Sequence, residues 1–201
     1  MTSTEKKLLP ALKALAKKEL EKNERFHDYA HAISVFNNAQ KLITGEKAER
    51  KVNVLAVLTA TLFHDISSVD KHDSLESAKK VGRLLKQIPD FPKDTIKEVE
   101  RLIASVERDH MNENALDELL VNEADSLEVF SKLSLCRGFM ICGKRGWKLQ
   151  STIEDFQHLI NRKYKELQKK CHSKTAKKIA KQELPFIKKF LRDCASLYIL
   201  K

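Results

Sequence analysis

Residues 52–68 read VNVLAVLTATLFHDISS, and the fold turns on this stretch. From Val52 to Phe63 nearly every side chain is apolar. The run is too long for an ordinary strand and too short for the roughly 20 residues of a membrane span. It predicts a central buried helix with the adjacent pair His64 and Asp65 at its C-terminal end. Two polar side chains in such a place carry a large desolvation cost unless they are hydrogen-bonded or ligate an ion. Helical neighbours stand about 100° apart, so the pair cannot share one face, but at a helix end both can approach one ion from adjacent directions. A helix end that reaches solvent explains a His-Asp doublet equally well, so the doublet alone leaves both readings open.

Working outward, helical periodicity accounts for the rest of the chain. Residues 4–21 place Leu8, Leu9, Leu12, Leu15, Ala16 and Leu20 on one face, with Pro10 tolerable in a first turn. FHDYAHAISVFNNAQKLI, residues 26–43, carries Ala30, Val35, Ala39 and Leu42 as part of an apolar stripe and stops at Gly45. After a polar connection at residues 67–73, SLESAKKVGRLLKQI starts from Ser74 as an N-cap, and residues 94–107 start from Asp94. A single helix is then expected from about Ala115 through LDELLVNEADSLEVFSKLSLCRGFMI. The breaker Gly143–Gly146 precedes two amphipathic segments, at residues 152–170 and 173–200, with Pro185 expected to kink or interrupt the second. These segments make an all-α bundle of about eight helices.

Composition fits that class. The chain has 201 residues, 42% hydrophobic and 33% charged, and only Gly 5 and Pro 4, too few turn formers for a β-sandwich or barrel. No apolar run spans a membrane and the N-terminus lacks a secretory apolar core, so the expected compartment is the cytoplasm, with no membrane partner. The four cysteines form no C-x-x-C pair and are expected to be reduced. The net charge of +10 permits a polyanionic partner, nucleic acid or a small phosphorylated molecule. Much of the excess lies beyond residue 143, interleaved with Leu, Ile and Ala as on a solvated helix face. Aromatic residues are 6% and do not interleave with the basic ones, which disfavours a single-strand stacking platform.

Two further fragments bear on the doublet. HDYAHAISV puts His27 and His31 four apart on one helical face, with Asp28 three before His31. NEADSLEVF places Asp125 inside a largely apolar stretch. His31, His64 with Asp65, and Asp125 therefore lie in order on or at the end of three separate apolar helices. Two imidazoles and two carboxylates suit a divalent cation of the set Mn, Mg, Co, Fe, Ni and Zn.

In this order the residues resemble the signature of the HD-domain superfamily of metal-dependent phosphohydrolases. HDYAHAISVFNNA looks like its opening helix, NEADSLEVF resembles its closing segment, and TAKKIAKQELPFIKKFL is similar to the C-terminal helix of the bacterial subgroup of small nucleotide phosphohydrolases and pyrophosphatases. The resemblance implies one HD domain over residues 1–201, with a core at about 23–143 and basic helices at 147–200 packed on it. It implies His31, His64, Asp65 and Asp125 as metal ligands, and hydrolysis of a small phosphorylated substrate of the nucleotide class by a cation-activated water. Asp65 and Lys71 are the expected catalytic residues, with Lys71 open between a phosphate contact and an ordinary loop lysine. His72 and His110 stand where some relatives hold a second ion, though one ion is the favoured count. Asp28 and Glu128, each three residues from an expected ligand, are open between steering a ligand and an ordinary carboxylate role.

The sequence also departs from the family pattern. Ser34 stands where many relatives carry a basic residue one turn after the first histidine, and the loop after the doublet has Ser67 and Ser68 where some place a glutamate base. These departures motivate the alternative of a catalytically degenerate HD protein that binds nucleotide or nucleic acid without turnover. A dimer is compatible with the sequence, and so is a nucleic-acid-binding surface, which is not favoured.

Overall fold

The computed structural model describes residues 1–22, 28–67, 74–106 and 115–199. Among these residues the chain forms nine helices and no strand: α1 Ser3–Leu20, α2 Tyr29–Gly45, α3 Val54–Phe63, α4 Ser74–Leu85, α5 Lys93–Ala104, α6 Leu116–Glu128, α7 Lys132–Lys144, α8 Leu149–Lys170 and α9 Lys174–Ile199. Two compact units divide it, Met1–Asp125 and Ser126–Lys201.

In the first unit α3 is the axis. Every residue from Leu55 to Phe63 is buried, as expected of a helix with no polar face. α3 packs against α1, α2 and α5, and α5 pairs with α4. Leu12 and Leu20 from α1, Val35, Phe36 and Leu42 from α2, and Val99, Leu102 and Ile103 from α5 are buried around it. Asn53 fixes where α3 begins. Its side-chain oxygen accepts from the Ala56 N–H at 3.1 Å, and its amide donates to Thr95 Oγ1 at 3.1 Å and Glu98 Oε2 at 2.5 Å on α5. Buried Asn38 of α2 donates to the Ala124 carbonyl at 3.2 Å, which anchors α6 one residue before Asp125.

In the second unit α8 pairs with α9 and touches α7. The Phe139 and Phe156 rings stack at 5.2 Å between centroids, and a Cβ at Gly138 would lie 1.9 Å from the Phe156 ring, so the glycine makes room for it.

The structure differs from the sequence expectation in five places. The single helix expected from Ala115 to Ile141 is two helices, which raises the number from about eight to nine. Ser131 breaks it: its backbone is extended (φ −82°, ψ 151°), and its hydroxyl accepts from the Ser134 N–H at 2.9 Å and donates to Glu128 Oε1 at 3.0 Å. A serine that caps a new helix competes with continuing the old one. Pro10 lies inside α1, because a capping box of Thr2 and Glu5 starts that helix at Ser3. Pro185 does not interrupt α9; buried Leu184, Ile187 and Leu191 outweigh the lost hydrogen bond. Asp94 sits in the first turn of α5, behind Pro92 as N-cap, and Ser74 is the first residue of α4, its hydroxyl directed to the Ala104 carbonyl at 3.4 Å.

Candidate metal centre

Three local devices aim side chains at one point in the first unit. Asp28 is the N-cap of α2, and its carboxylate accepts from the His31 N–H at 3.0 Å. This fixes the first turn of α2 and holds His31 in the interior, where it is 4% exposed. α3 stops at Phe63, so His64 is its C-cap and Asp65 follows in the turn. The change of backbone direction at a helix end lets consecutive side chains converge. Asp125 comes from α6, which Asn38 anchors.

The distances are nearly symmetrical. His31 Nε2 and His64 Nε2 lie 3.3 Å apart, each 3.2 Å from Asp65 Oδ2 and 3.5 Å from Asp125 Oδ1. The donor atoms of His31, His64 and Asp65 all fall within 4.8 Å of one another, a compact triplet that Asp125 approaches from the imidazole side. Both imidazoles are buried, Asp65 is nearly so, and the Asp125 side chain is about a third exposed.

The donor set fits a divalent cation. Ligand atoms at about 2.1 Å from an ion stand about 3.0 Å apart when cis in an octahedron and about 3.4 Å apart in a tetrahedron; the observed separations of 3.2–3.5 Å lie above the first edge and span the second. His64 Nδ1 lies 3.1 Å from the Thr61 carbonyl. A proton on Nδ1 donated there leaves the Nε2 lone pair pointing at the other three groups, the tautomer a metal ligand needs. Electrostatics agree. Burial opposes charge on His64, but the Asp65 and Asp125 carboxylates outweigh it and raise the imidazole pKa well above its ordinary value. Burial likewise opposes charge on Asp125, yet His64 and His31 hold its pKa below the usual carboxylate range. The anionic pair thus attracts positive charge.

The structure brings His31, His64, Asp65 and Asp125 together. Lys71, His72, His110 and His27 lie outside the described residues. Asp28 is a helix cap. Glu128 is buried and bonds Ser131 Oγ at 3.0 Å and Arg137 Nη2 at 2.5 Å, so it ties the end of α6 to α7. His158 and His172 are exposed. Sequence reading missed Thr61 and Asn38. Thr61 is one helical turn before His64, and that i−3 spacing was the available signal; Asn38 gave none, because its partner is a backbone carbonyl 86 residues away.

The family model for the HD domain matches residues 28–129, a span that contains all four of these side chains. The chain belongs to the HD-domain family. It stands in general among metal-dependent phosphohydrolases. Solved structures extend the likeness to the whole chain. Bacillus subtilis YpgQ is 23% identical with a TM-score of 0.72, over 96% of each chain. A second structure, YpgQ in complex with ADP, is 22% identical with a TM-score of 0.69, over 93% of this chain and 96% of that one. An HD-superfamily hydrolase from Bacillus thuringiensis is 17% identical with a TM-score of 0.69, over 98% of this chain and 100% of that one. At these identities the likeness is one of fold. Comparison with curated proteins finds no match. No helix among the described residues is long and apolar enough to cross a membrane.

Proposed function

We propose that this HD-domain protein hydrolyses a phosphoester or phosphoanhydride bond of a nucleotide or related small phosphorylated molecule. The observation that carries the reading is the convergence of two imidazole nitrogens and two carboxylates at 3.2–3.5 Å, with the tautomer of His64 fixed by Thr61. His31, His64, Asp65 and Asp125 would hold a divalent ion, one of Mn, Mg, Co, Fe, Ni and Zn. Such an ion, when bound, acidifies a coordinated water toward neutral pH and screens the charge of a phosphate.

The residues themselves supply orientation and charge. Asp65 and Asp125 bring two negative charges to a largely buried place, which selects a dication over a monovalent ion. The partial exposure of Asp125 leaves one side open to solvent and substrate. Lys71, six residues after Asp65 and outside the described residues, is assigned as a phosphate contact on its sequence position alone. A nucleotide is supported by the ADP complex of the similar YpgQ structure. Charge adds to this: Ser126–Lys201 carries 18 Lys and Arg against 6 Asp and Glu, more than the whole chain's net +10, a composition that attracts anions.

The test is phosphate release from a panel of ribonucleoside and deoxyribonucleoside mono-, di- and triphosphates with each divalent ion in turn. Turnover of one class supports the reading and names the bond. A bound ion with phosphate release at background across the panel overturns it in favour of the degenerate, nucleotide-binding alternative that Ser34 motivates.

A further inference from the structure

The segment that carries two of the four proposed ligands lies past the last residue of its own helix. α3 ends at Phe63, and His64–Ser67 form a turn in which the Ile66 N–H bonds back to the Phe63 carbonyl at 3.1 Å. Two bonds to this turn come from α4. Ser77 Oγ accepts from the Ser67 N–H at 3.3 Å, and Lys80 Nζ donates to the Ile66 carbonyl at 3.3 Å. Ser77 is 2% exposed, so its bond is shielded from competing water. The Lys80 ammonium is itself oriented from a third element, 3.8 Å from Oε2 of Glu19 on α1. Glu19 is buried and also pairs with Lys22.

We propose that Ser77 and Lys80 are positioning residues for the metal centre, clamping Ile66 and Ser67 so that His64 and Asp65 keep the spacing an ion needs. This rests on the metal reading above. The Ile66 carbonyl and the Ser67 N–H that α4 holds belong to one planar peptide unit, so the two bonds fix that unit as a whole, and it joins the peptide unit of Asp65 at the Ile66 Cα. With Oδ2 of Asp65 at 3.2 Å from both imidazole nitrogens, a shift of about 1 Å removes it from a coordination sphere whose bonds tolerate about 0.2 Å. A lysine near a helix C-terminus also complements the partial negative charge of the last carbonyls, so the same ammonium favours the stop after Phe63. Neither residue touches the proposed ion. Both act through the backbone of the turn.

The experiment titrates Mn²⁺ into chelator-stripped full-length protein and records the visible spectrum of the Co²⁺ form. Lys80→Met keeps the aliphatic stem and removes the ammonium; it is expected to weaken Mn²⁺ binding roughly 10- to 100-fold and to alter the Co²⁺ bands, the range for losing an outer support of a ligand. Lys80→Arg restores a donor and is expected to recover most of the affinity. Ser77→Ala, which cannot accept from the Ser67 N–H, is expected to weaken binding in the same direction. Unchanged affinity and spectrum in Lys80→Met, with the wild type binding normally, overturn this assignment alone, even if the variant melts earlier. Wild-type protein that binds neither Mn²⁺ nor Co²⁺ overturns the metal reading and this assignment with it. If Lys80→Met fails to fold, the Ser77→Ala and Lys80→Arg titrations decide, and wild-type affinity in Ser77→Ala refutes the clamp.

Discussion

Replacing Asn53 by Ala tests whether the helix that carries the doublet is held by the contacts described for it. Loss of the N-cap acceptor costs about 1 kcal/mol, because the Ala56 N–H at 3.1 Å goes unsatisfied. The bond to Thr95 adds about 1 kcal/mol and the charge-assisted bond to half-buried Glu98 about another, towards the low end for an ionised partner near solvent. The expected total is about 3 kcal/mol, a large share of the stability of a unit this size. Asn53→Ser separates the parts: its hydroxyl keeps the cap but cannot reach α5, so it should recover about 1 kcal/mol relative to Ala. Urea unfolding followed by helical circular dichroism reads both values, with the m-value unchanged. An Asn53→Ala variant within about 0.5 kcal/mol of wild type refutes the reasoning, as does a serine variant no better than alanine.

Arg137→Met leaves the buried Glu128 carboxylate without its guanidinium partner at 2.5 Å and is expected to destabilise by about 3 kcal/mol in thermal or urea unfolding. The double variant with Glu128→Gln should regain part of that loss. Proton and metal compete at His64. In the ion-free protein its raised pKa gives stability that is present below the ordinary imidazole value and lost as pH rises through the raised one. The lowered pKa of Asp125 gives stability that is present above the ordinary carboxylate value and lost as pH falls through the lowered one. Because a cation competes with a proton for His64, the gain in melting temperature on adding Mn²⁺ should grow as pH rises through and above the ordinary imidazole value; a gain that shrinks with pH contradicts the site.

How much of this was legible in the sequence depends on the range of the forces involved. α3 was legible because an unbroken apolar run leaves a helix no polar face, and burial on all sides follows. Its terminus at His64 was legible for the same reason. The split between α6 and α7 was not, since Ser131 is one of several polar residues in that stretch and its role is set by Glu128 and Ser134 around it. Pro185 was read by local sterics alone, whereas the packing of Leu184, Ile187 and Leu191 keeps α9 continuous. At the candidate site the four side chains were legible as an ordered set, and their meeting at 3.2–3.5 Å is what tertiary structure adds. The supports were hidden. Thr61, Asn38, Ser77 and Lys80 act on or through backbone groups, which leave no trace in residue identity.

The central claim is that these four side chains hold an ion. Metal content after chelation and reloading with Mn²⁺, read by elemental analysis on wild type and Asp65→Ala, tests it most directly. Asp65 contributes the carboxylate oxygen nearest both imidazoles and little apolar area. The account predicts about one ion per wild-type chain, and almost none in the variant at unchanged helical content. Equal occupancy in Asp65→Ala would contradict it.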